Sequence, residues 1–284
     1  MKKILITGSS GRVGGFIAKH LASSNKIIGI DIVPGKFTSV VSNILSPKVS
    51  PLIQSADAII HCAALHAPHI EQHSEQEFWD ANVATTEYLL KHCDQHASMV
   101  LTSSTSVFGS SLVKPGRTVW VDEDLAVRPR DIYDSTKLAA EGLVKQDDAT
   151  HRSMTVLRIS RCFPEQERLM AIYRLHRGVD LRDVVQAHTL ALNRSAGQGL
   201  YIISAPIPFK RADLIELYSD AASLIKQKCP SLGAYFKQNN WSLPVSIDRV
   251  YSSELASKEL GYRPSFGVDR FLNGDRQPDC LALC

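Results

Sequence analysis

At 284 residues, with 44% hydrophobic and 21% charged residues and a formal net charge of +3, the chain can bury a full core and has the composition of an ordinary globular protein. No long basic run accompanies that small charge, so neither nucleic acid nor a membrane surface is an expected partner, and no apolar run reaches membrane-spanning length. The first strand starts almost at residue 1, which leaves no room for a signal peptide, and the cysteines at 62, 93, 162, 229, 280 and 284 lack the compact spacing of a disulfide framework, so the cytoplasm is the expected compartment. Cys280 and Cys284, in the tail, read as accidental surface thiols.

In chain order, Lys2–Thr7 reads as a short buried strand and Gly8-Ser9-Ser10-Gly11-Arg12-Val13-Gly14 as a tight turn. Phe16–Ala22 has helical spacing, and Lys26–Ile30 is a second strand ending at Asp31. In such a turn Gly8 permits the bend, Gly11 lets the backbone approach a diphosphate, and Gly14 lets helix and strand pack closely. The unpaired N–H groups of the helix start suit an anion. Asp31 falls about 20 residues after Gly11, where an acid holds ribose hydroxyls and repels a 2′-phosphate. The stretch therefore predicts a dinucleotide site that prefers NAD, with Arg12 and Lys36 as nearby cations that soften the preference.

A short third strand is expected at 39–44, its end reaching the adenine ring, and a fourth at 56–64 that ends in small residues. His61, His66, His69 and His73 are closely spaced, but no Cys or acid cluster joins them with ligand geometry, so no metal is expected. A helix is predicted from about Phe78 to His92, a fifth strand at 98–102 delivering Ser103-Ser104, a helix from Tyr133 to about Gln146, and a sixth strand at 154–159. Beyond it come a helix at 183–192, a strand at 200–203, one helix over 213–228, a loop with a short helix at 230–240, and a helix at 253–260 closed by Gly261. Strand–helix alternation over the first 160 residues implies a parallel sheet covered on both faces.

Tyr133 and Lys137 stand four residues apart, on one face of a helical turn. A free phenol titrates near ~10, too high for a base at neutral pH. A lysine cation beside it is expected to lower that value, letting Tyr133 exchange a proton with a substrate hydroxyl or carbonyl while hydride moves to or from a nicotinamide. Ser104, at a strand end, can orient the same oxygen, and Lys137 can also reach the nicotinamide ribose.

Thr7-Gly8-x-x-Gly11-x-x-Gly14, His61-Cys62-Ala63-Ala64, Asn82-Val83, Ser103-Ser104-x-x-Val107-Phe108-Gly109 and Tyr133-x-x-x-Lys137 together resemble the extended short-chain dehydrogenase/reductase family, and within it the NAD-dependent epimerase/dehydratase branch. Val179-Asp180-x-x-Asp183-Val184-x-x-Ala187-His188 and Glu259-Leu260-Gly261-Tyr262-x-Pro264 match segments common in that branch. The resemblance implies Ser104, Tyr133 and Lys137 as the catalytic trio. It implies cofactor contacts from Gly8, Ser10, Gly11, Arg12, Val13, Gly14, Asp31, Ile32, Asn43, Ile44, Cys62, Ala63, Ala64, Asn82 and Thr102, besides Tyr133 and Lys137. It also implies a homodimer packed through the helix after Asn82 and the Tyr133 helix, with Tyr88, Leu89, Leu138, Ala139, Leu143 and Val144 as apolar residues. These last could equally face the sheet.

Departures from the pattern bear on substrate. Dehydratases of the branch carry an Asp-Glu pair where Thr105-Ser106 stand here, so the acid that expels a hydroxyl as water is missing and 4,6-dehydration is not expected. Arg161 replaces the Asn that helps hold a substrate diphosphate in nucleotide-sugar epimerases. The run Arg158-Ile159-x-x-Cys162-x-Pro164-Glu165 resembles the uronate dehydrogenases in part. That likeness implies a carboxylate clamp at Arg168, with Arg174 and Arg177 as competitors, while the guanidinium fork of Arg161 suits either a phosphate or a free carboxylate.

The expected fold is α/β: a Rossmann-type, doubly wound parallel sheet with a small C-terminal substrate-binding lobe. Residues 1–160, completed by about 183–204, are expected to bind NAD, and 161–182 with 205–284 the substrate. The expected activity is NAD-dependent oxidoreduction at a hydroxyl of a sugar, sugar acid or nucleotide sugar. A nucleotide-sugar 4-epimerase that retains its NAD, or a non-catalytic redox sensor, remains the alternative.

Overall fold

The computed structural model describes residues 1–275. Cys280, Cys284 and the last residues of the expected lobe lie outside them. In chain order the elements are β1 (Lys3–Thr7), α1 (Arg12–Leu21), β2 (Lys26–Asp31), β3 (Val40–Val41), α2 (Ser50–Gln54), β4 (Ala58–His61), α3 (Glu75–Trp79), α4 (Thr85–His92), β5 (Ser98–Ser104), β6 (Val119–Val121), α5 (Ile132–Gln146), β7 (Ser153–Ile159), α6 (Glu167–His176), α7 (Leu181–Leu192), β8 (Gly197–Ile203), α8 (Leu214–Ser219), α9 (Ala221–Lys228), α10 (Pro230–Gln238), β9 (Arg249–Tyr251), α11 (Glu254–Glu259) and α12 (Val268–Leu272).

Seven strands form one parallel sheet in the order β3-β2-β1-β4-β5-β7-β8. The strands alternate sides as a two-residue period requires. Ile4, Ile6 and Ile60 join a core with Ile17 of α1 and Val184 of α7, while Leu5, Ile59 and Leu101 join another with Leu89 of α4 and Val144 of α5. Because β2 and β4 flank β1, the chain reverses its direction of winding there, and the crevice at those strand ends is where open α/β sheets take their ligands. This is the expected Rossmann-type sheet.

The differences from expectation have local causes. The third strand shrinks to two residues because the chain turns at Asn43, whose Oδ1 accepts the Leu45 N–H at 2.9 Å and whose carbonyl accepts the Ser46 N–H at 3.0 Å. The helix expected from Phe78 starts at Glu75, where Ser74 and Glu77 cap each other reciprocally. It then passes through a π-helical stretch, Asp80–Ala84, before continuing as α4. The helix expected over 213–228 breaks at Asp220, which leaves helical geometry and caps α9 through the Ser223 N–H. Segment 230–240, expected to be largely loop, is a helix opened by Pro230.

β6 and β9 were not foreseen, each being only three residues long; they pair in parallel as a separate two-stranded sheet. α6, α9, α10 and α12 enclose a third core containing Trp120, Leu175, Leu224, Phe236 and Phe271. Val119–Val121 therefore packs with the later half of the chain although it lies early in the sequence. Among the described residues no helix is long and apolar enough to cross a membrane.

Buried histidines tie this fold to pH. His61, His176 and His188 are at most 5% exposed, and burial, the leading cause, holds them near about 3, 4 and 4. Their folded values lie below the ordinary histidine value, so between pH ~6.5 and ~4 the unfolded chain binds more protons than the folded one. Stability is then expected to fall on acidification through that window, by up to about 1.4 kcal/mol per pH unit for each histidine. Denaturant midpoints at neutral and mildly acidic pH check this; equal midpoints contradict it.

Candidate active site

A cavity of about 1080 Å³ runs over the carboxyl ends of β1, β2, β4, β5 and β7. One end is lined by Gly8, Gly11, Arg12, Val13, Gly14, Asp31, Ile32, Asn43 and Ile44, the middle by Cys62, Ala63, Ala64, Thr102, Ser104, Tyr133 and Lys137, and the far wall by Ser160, Arg161, Phe163, Arg177, Arg249 and Tyr251. The sheet thus brings one continuous cleft to residues spread over most of the chain.

The turn after β1 is built for backbone approach. Gly8 has φ +69°, and a Cβ there would lie 2.7 Å from the Ala63 nitrogen; one on Gly14 would lie 2.2 Å from the Gly8 oxygen. α1 begins at Arg12 with no acidic residue in its first turn. Arg12 lines the cavity, and its Nε and Nη1 are buried without a hydrogen-bond partner. Free helix N–H groups beside an orphaned guanidinium fit a diphosphate. Asp31 accepts N–H groups from Ser10 at 3.0 Å and Val33 at 3.2 Å, which fixes its carboxylate at the cleft. The residues present fit a dinucleotide.

Two of the expected cofactor residues stand behind the wall. Ser10 is tied through its hydroxyl to the Val33 carbonyl and Thr38. Asn82, displaced inward at the π-helical turn, accepts the Leu65 N–H at 2.8 Å and donates to the Leu65 carbonyl at 3.1 Å and to Thr136 at 3.0 Å. It ties the loop after β4 to α5, a positioning contact rather than a lining one. Thr102 accepts or donates at 2.8 Å to His188 and lies 3.1 Å from the Cys62 sulfur, whose thiol burial pushes up to about 11. Burial thus keeps that thiol protonated rather than nucleophilic.

α5 carries the face expected to be reactive. Asp131 caps it through the Asp134 N–H at 2.8 Å, and Tyr133, Lys137 and Glu141 follow one another turn by turn against the sheet, all buried. Burial pushes the Tyr133 phenol up to about 12, opposed by a hydrogen bond with Ser104. Lys137 does not figure among the leading influences on this phenol, and its own value falls to about 8 chiefly through burial, opposed by the Glu141 carboxylate. Desolvation outweighs the sequence argument here, so at neutral pH Tyr133 holds its proton.

Sequence reasoning missed the group behind Lys137. Glu141 takes Arg158 Nε at 3.0 Å and Nη2 at 2.7 Å, and accepts the Ser103 hydroxyl at 2.6 Å; none of these residues is more than 3% exposed. Arg158 also stacks 4.9 Å from the Phe108 ring. An arginine within the Val156-Leu157-Arg158-Ile159 run of the strand was the available signal. His66 is a second omission. Its spacing with the other histidines points only to a metal, yet it lines the cavity with its ring 5.8 Å from that of Tyr133, and burial lowers it to about 4.

On the side expected to take substrate, Arg161 lines the cavity and pairs with Glu165. Arg168 does not reach it: that guanidinium donates to the Ser242 carbonyl at 3.1 Å, because α6 turns it toward the later helices. Arg174 is buried and bound to Asp180 at 2.8 Å. Arg177 and Arg249 reach the wall instead, Arg249 because β9 pairs with β6 beside it. Of the residues expected at a dimer face, Leu89 and Val144 are buried in the sheet core, while Tyr88, Leu138, Ala139 and Leu143 are half-exposed.

Comparison with known proteins agrees with this architecture. A family model, the NAD dependent epimerase/dehydratase family, matches residues 4–173. The chain belongs to that family. An uncharacterized UDP-glucose epimerase of Bacillus subtilis is 29% identical over 164 residues, 50% of either chain, so the match spans half the length of that relative. The dTDP-4-dehydrorhamnose reductase of Escherichia coli is 27% identical over 71% of this chain and 72% of its own. Among solved structures, an NAD-bound short-chain dehydrogenase/reductase superfamily protein of Agrobacterium tumefaciens has a TM-score of 0.69 at 22% identity, covering 96% of this chain and 95% of that one. The UDP-glucuronic acid 4-epimerase of Bacillus cereus, bound to UDP-glucuronic acid and NAD, has a TM-score of 0.66 at 20% identity, covering 95% and 96%. As a member of this family the chain has the fold of these NAD-binding proteins.

Proposed function

We propose that this family member is an NAD-dependent oxidoreductase acting on a hydroxyl or carbonyl carbon of a sugar, sugar acid or nucleotide sugar. The observation that carries the reading is the single cleft in which the glycine turn and Asp31 share a wall with Ser104, Tyr133 and Lys137. When bound, NAD supplies the hydride acceptor and a positively charged ring. Tyr133 moves the proton at its Oη, Ser104 holds that phenol by a hydrogen bond and stands beside it to orient the substrate oxygen, and Lys137 supplies a buried positive charge. The names of the epimerase and reductase relatives support the substrate class and keep a 4-epimerase with retained NAD as the second reading.

Residues 1–160 with 183–204 are assigned to dinucleotide binding, and 161–182 with 205–284 to substrate, β6 packing with the latter. A homodimer through the half-exposed Tyr88, Leu138, Ala139 and Leu143 fits this reading, as does the cytoplasm, where the four cysteines among the described residues stay free thiols. Asp31→Ala is expected to cut the preference for NAD over NADP by about tenfold or more, since a fixed carboxylate no longer repels a 2′-phosphate; an unchanged ratio of affinities contradicts that role.

The test is incubation with NAD and a panel of free hexuronates, neutral sugars and UDP-sugars while NADH absorbance is followed. Stoichiometric NADH marks a dehydrogenase, and a changed stereocentre without net NADH an epimerase. Silence across the panel removes the substrate class.

A further inference from the structure

α5 opens with two acids, Asp131 and Asp134. Asp131 caps the helix by accepting the Asp134 N–H at 2.8 Å. Asp134 returns the contact with one oxygen: its Oδ2 accepts the Arg130 backbone N–H at 3.2 Å and lies 3.4 Å from Nε of that half-exposed arginine. Its other oxygen, Oδ1, is buried without an aligned hydrogen bond, in a residue with no exposed surface. Asp134 follows Tyr133 directly, yet it stands behind the wall of the cleft rather than in it.

The neighbour of that carboxyl is Ser106. Burial pushes the Asp134 carboxyl up, and the Ser106 hydroxyl is the leading influence that draws it down, acting as a donor to the carboxylate. Ser106 Oγ is likewise buried without an aligned partner, and the residue lines the cleft. The helical turn after β5 that carries it, Thr105–Leu112, is locked to the chain entering α5. There the Ser110 N–H donates to the Arg128 carbonyl at 3.0 Å, and a Cβ on Gly109 would lie 1.8 Å from that same oxygen. Ser106 also touches the expected catalytic groups. Its N–H donates to Ser104 Oγ at 3.1 Å, and Ser104 in turn hydrogen-bonds Tyr133. Tyr133, Ser104, Ser106 and Asp134 thus close a ring that starts and ends on adjacent residues of α5.

A buried carboxylate oxygen left without a donor is costly, and capping the helix uses only the other one. A serine hydroxyl has one proton and two lone pairs. When that proton points to Asp134, only lone pairs face the cleft, so Ser106 accepts a hydrogen bond there and donates none. We propose that Asp134 is a positioning residue for the reaction: it takes the Ser106 proton and so makes that serine an acceptor for a second hydroxyl of the substrate, beside the one engaged by Ser104 and Tyr133. A substrate that carries a carbonyl or a methylene at that place leaves Ser106 unpaired and is disfavoured. The inference rests on the function proposed above and deepens it by requiring a hydroxyl next to the reacting one.

The experiment measures kcat and KM for the wild type, Asp134→Asn, Ser106→Ala and the double variant, with NADH affinity and melting temperature alongside. The substrate is the member of the hexuronate, neutral-sugar and UDP-sugar panel that the wild type turns over. Asp134→Asn is nearly isosteric. The Arg130 donors keep the amide oxygen where Oδ2 stood, which sets the amide NH₂ against Ser106 and turns the serine proton into the cleft. KM is expected to rise roughly 5- to 50-fold with kcat changed less, as for a contact made equally in ground and transition state, while NADH affinity and melting temperature stay near wild type. Ser106→Ala is expected to raise KM to a similar extent, and the double variant no further than Ser106→Ala alone, because the two residues act as one unit. A wild-type KM in Asp134→Asn overturns the proposal, as does a double variant whose loss is the product of the two single losses. Asp134→Asn that loses NADH affinity and melting temperature along with KM reduces Asp134 to a helix cap and overturns it as well. A wild type that turns over no member of the panel is a separate result, which removes the function proposed above and this inference with it.

Discussion

Replacing Tyr133 with Phe is expected to lower turnover by about 10²- to 10⁴-fold, the range for loss of a positioned proton carrier. The side chain is 7% exposed and sits on the buried face of α5, so removing one oxygen leaves packing in place. NADH affinity and melting temperature are expected to stay near wild type. Measuring kcat beside NADH binding separates the chemical step from the scaffold. A variant that keeps full turnover takes the phenol out of the reaction and revives the non-catalytic dinucleotide-binding reading.

The second large effect is on stability. Glu141→Ala leaves the Arg158 guanidinium, 3% exposed, without its carboxylate, and strips the acceptor from Ser103. Breaking a buried pair on one side costs about 3–5 kcal/mol, which for a chain of this size lowers the melting temperature by roughly 10 °C. The double variant Glu141→Leu, Arg158→Met removes both charges and is expected to recover most of that loss. If the single variant melts like the wild type, the pair is not what holds α5 to the sheet. If the double variant is no better than the single one, the cost lies in packing rather than in an orphaned charge.

The glycine-turn end of the cleft was legible as geometry because its logic is local. Gly8, Gly14 and Asp31 act within one strand–turn–helix–strand unit, and their spacing encodes the geometry. Tyr133 and Lys137 were legible for the same reason, lying one turn apart on one helix. Two kinds of information were not. Burial reverses a charge argument, as it does for Tyr133, whose phenol is pushed up where a lysine was expected to pull it down. Pairing distant in sequence is the other: β6 with β9 brings Arg249 into the cleft, and the orientation of α6 takes Arg168 out of it. Glu141 and Arg158 fall between these cases. Glu141 follows Lys137 by one turn and could be read from the helix, but its partner is set by the register of β5 and β7.

The central claim is that this cleft holds NAD, and equilibrium titration of the wild-type chain with NADH and NADPH tests it most directly. Saturable NADH binding, tighter than NADPH, is the result expected from the glycine turn, the orphaned Arg12 and the fixed Asp31. Binding of neither nucleotide contradicts the account at its base.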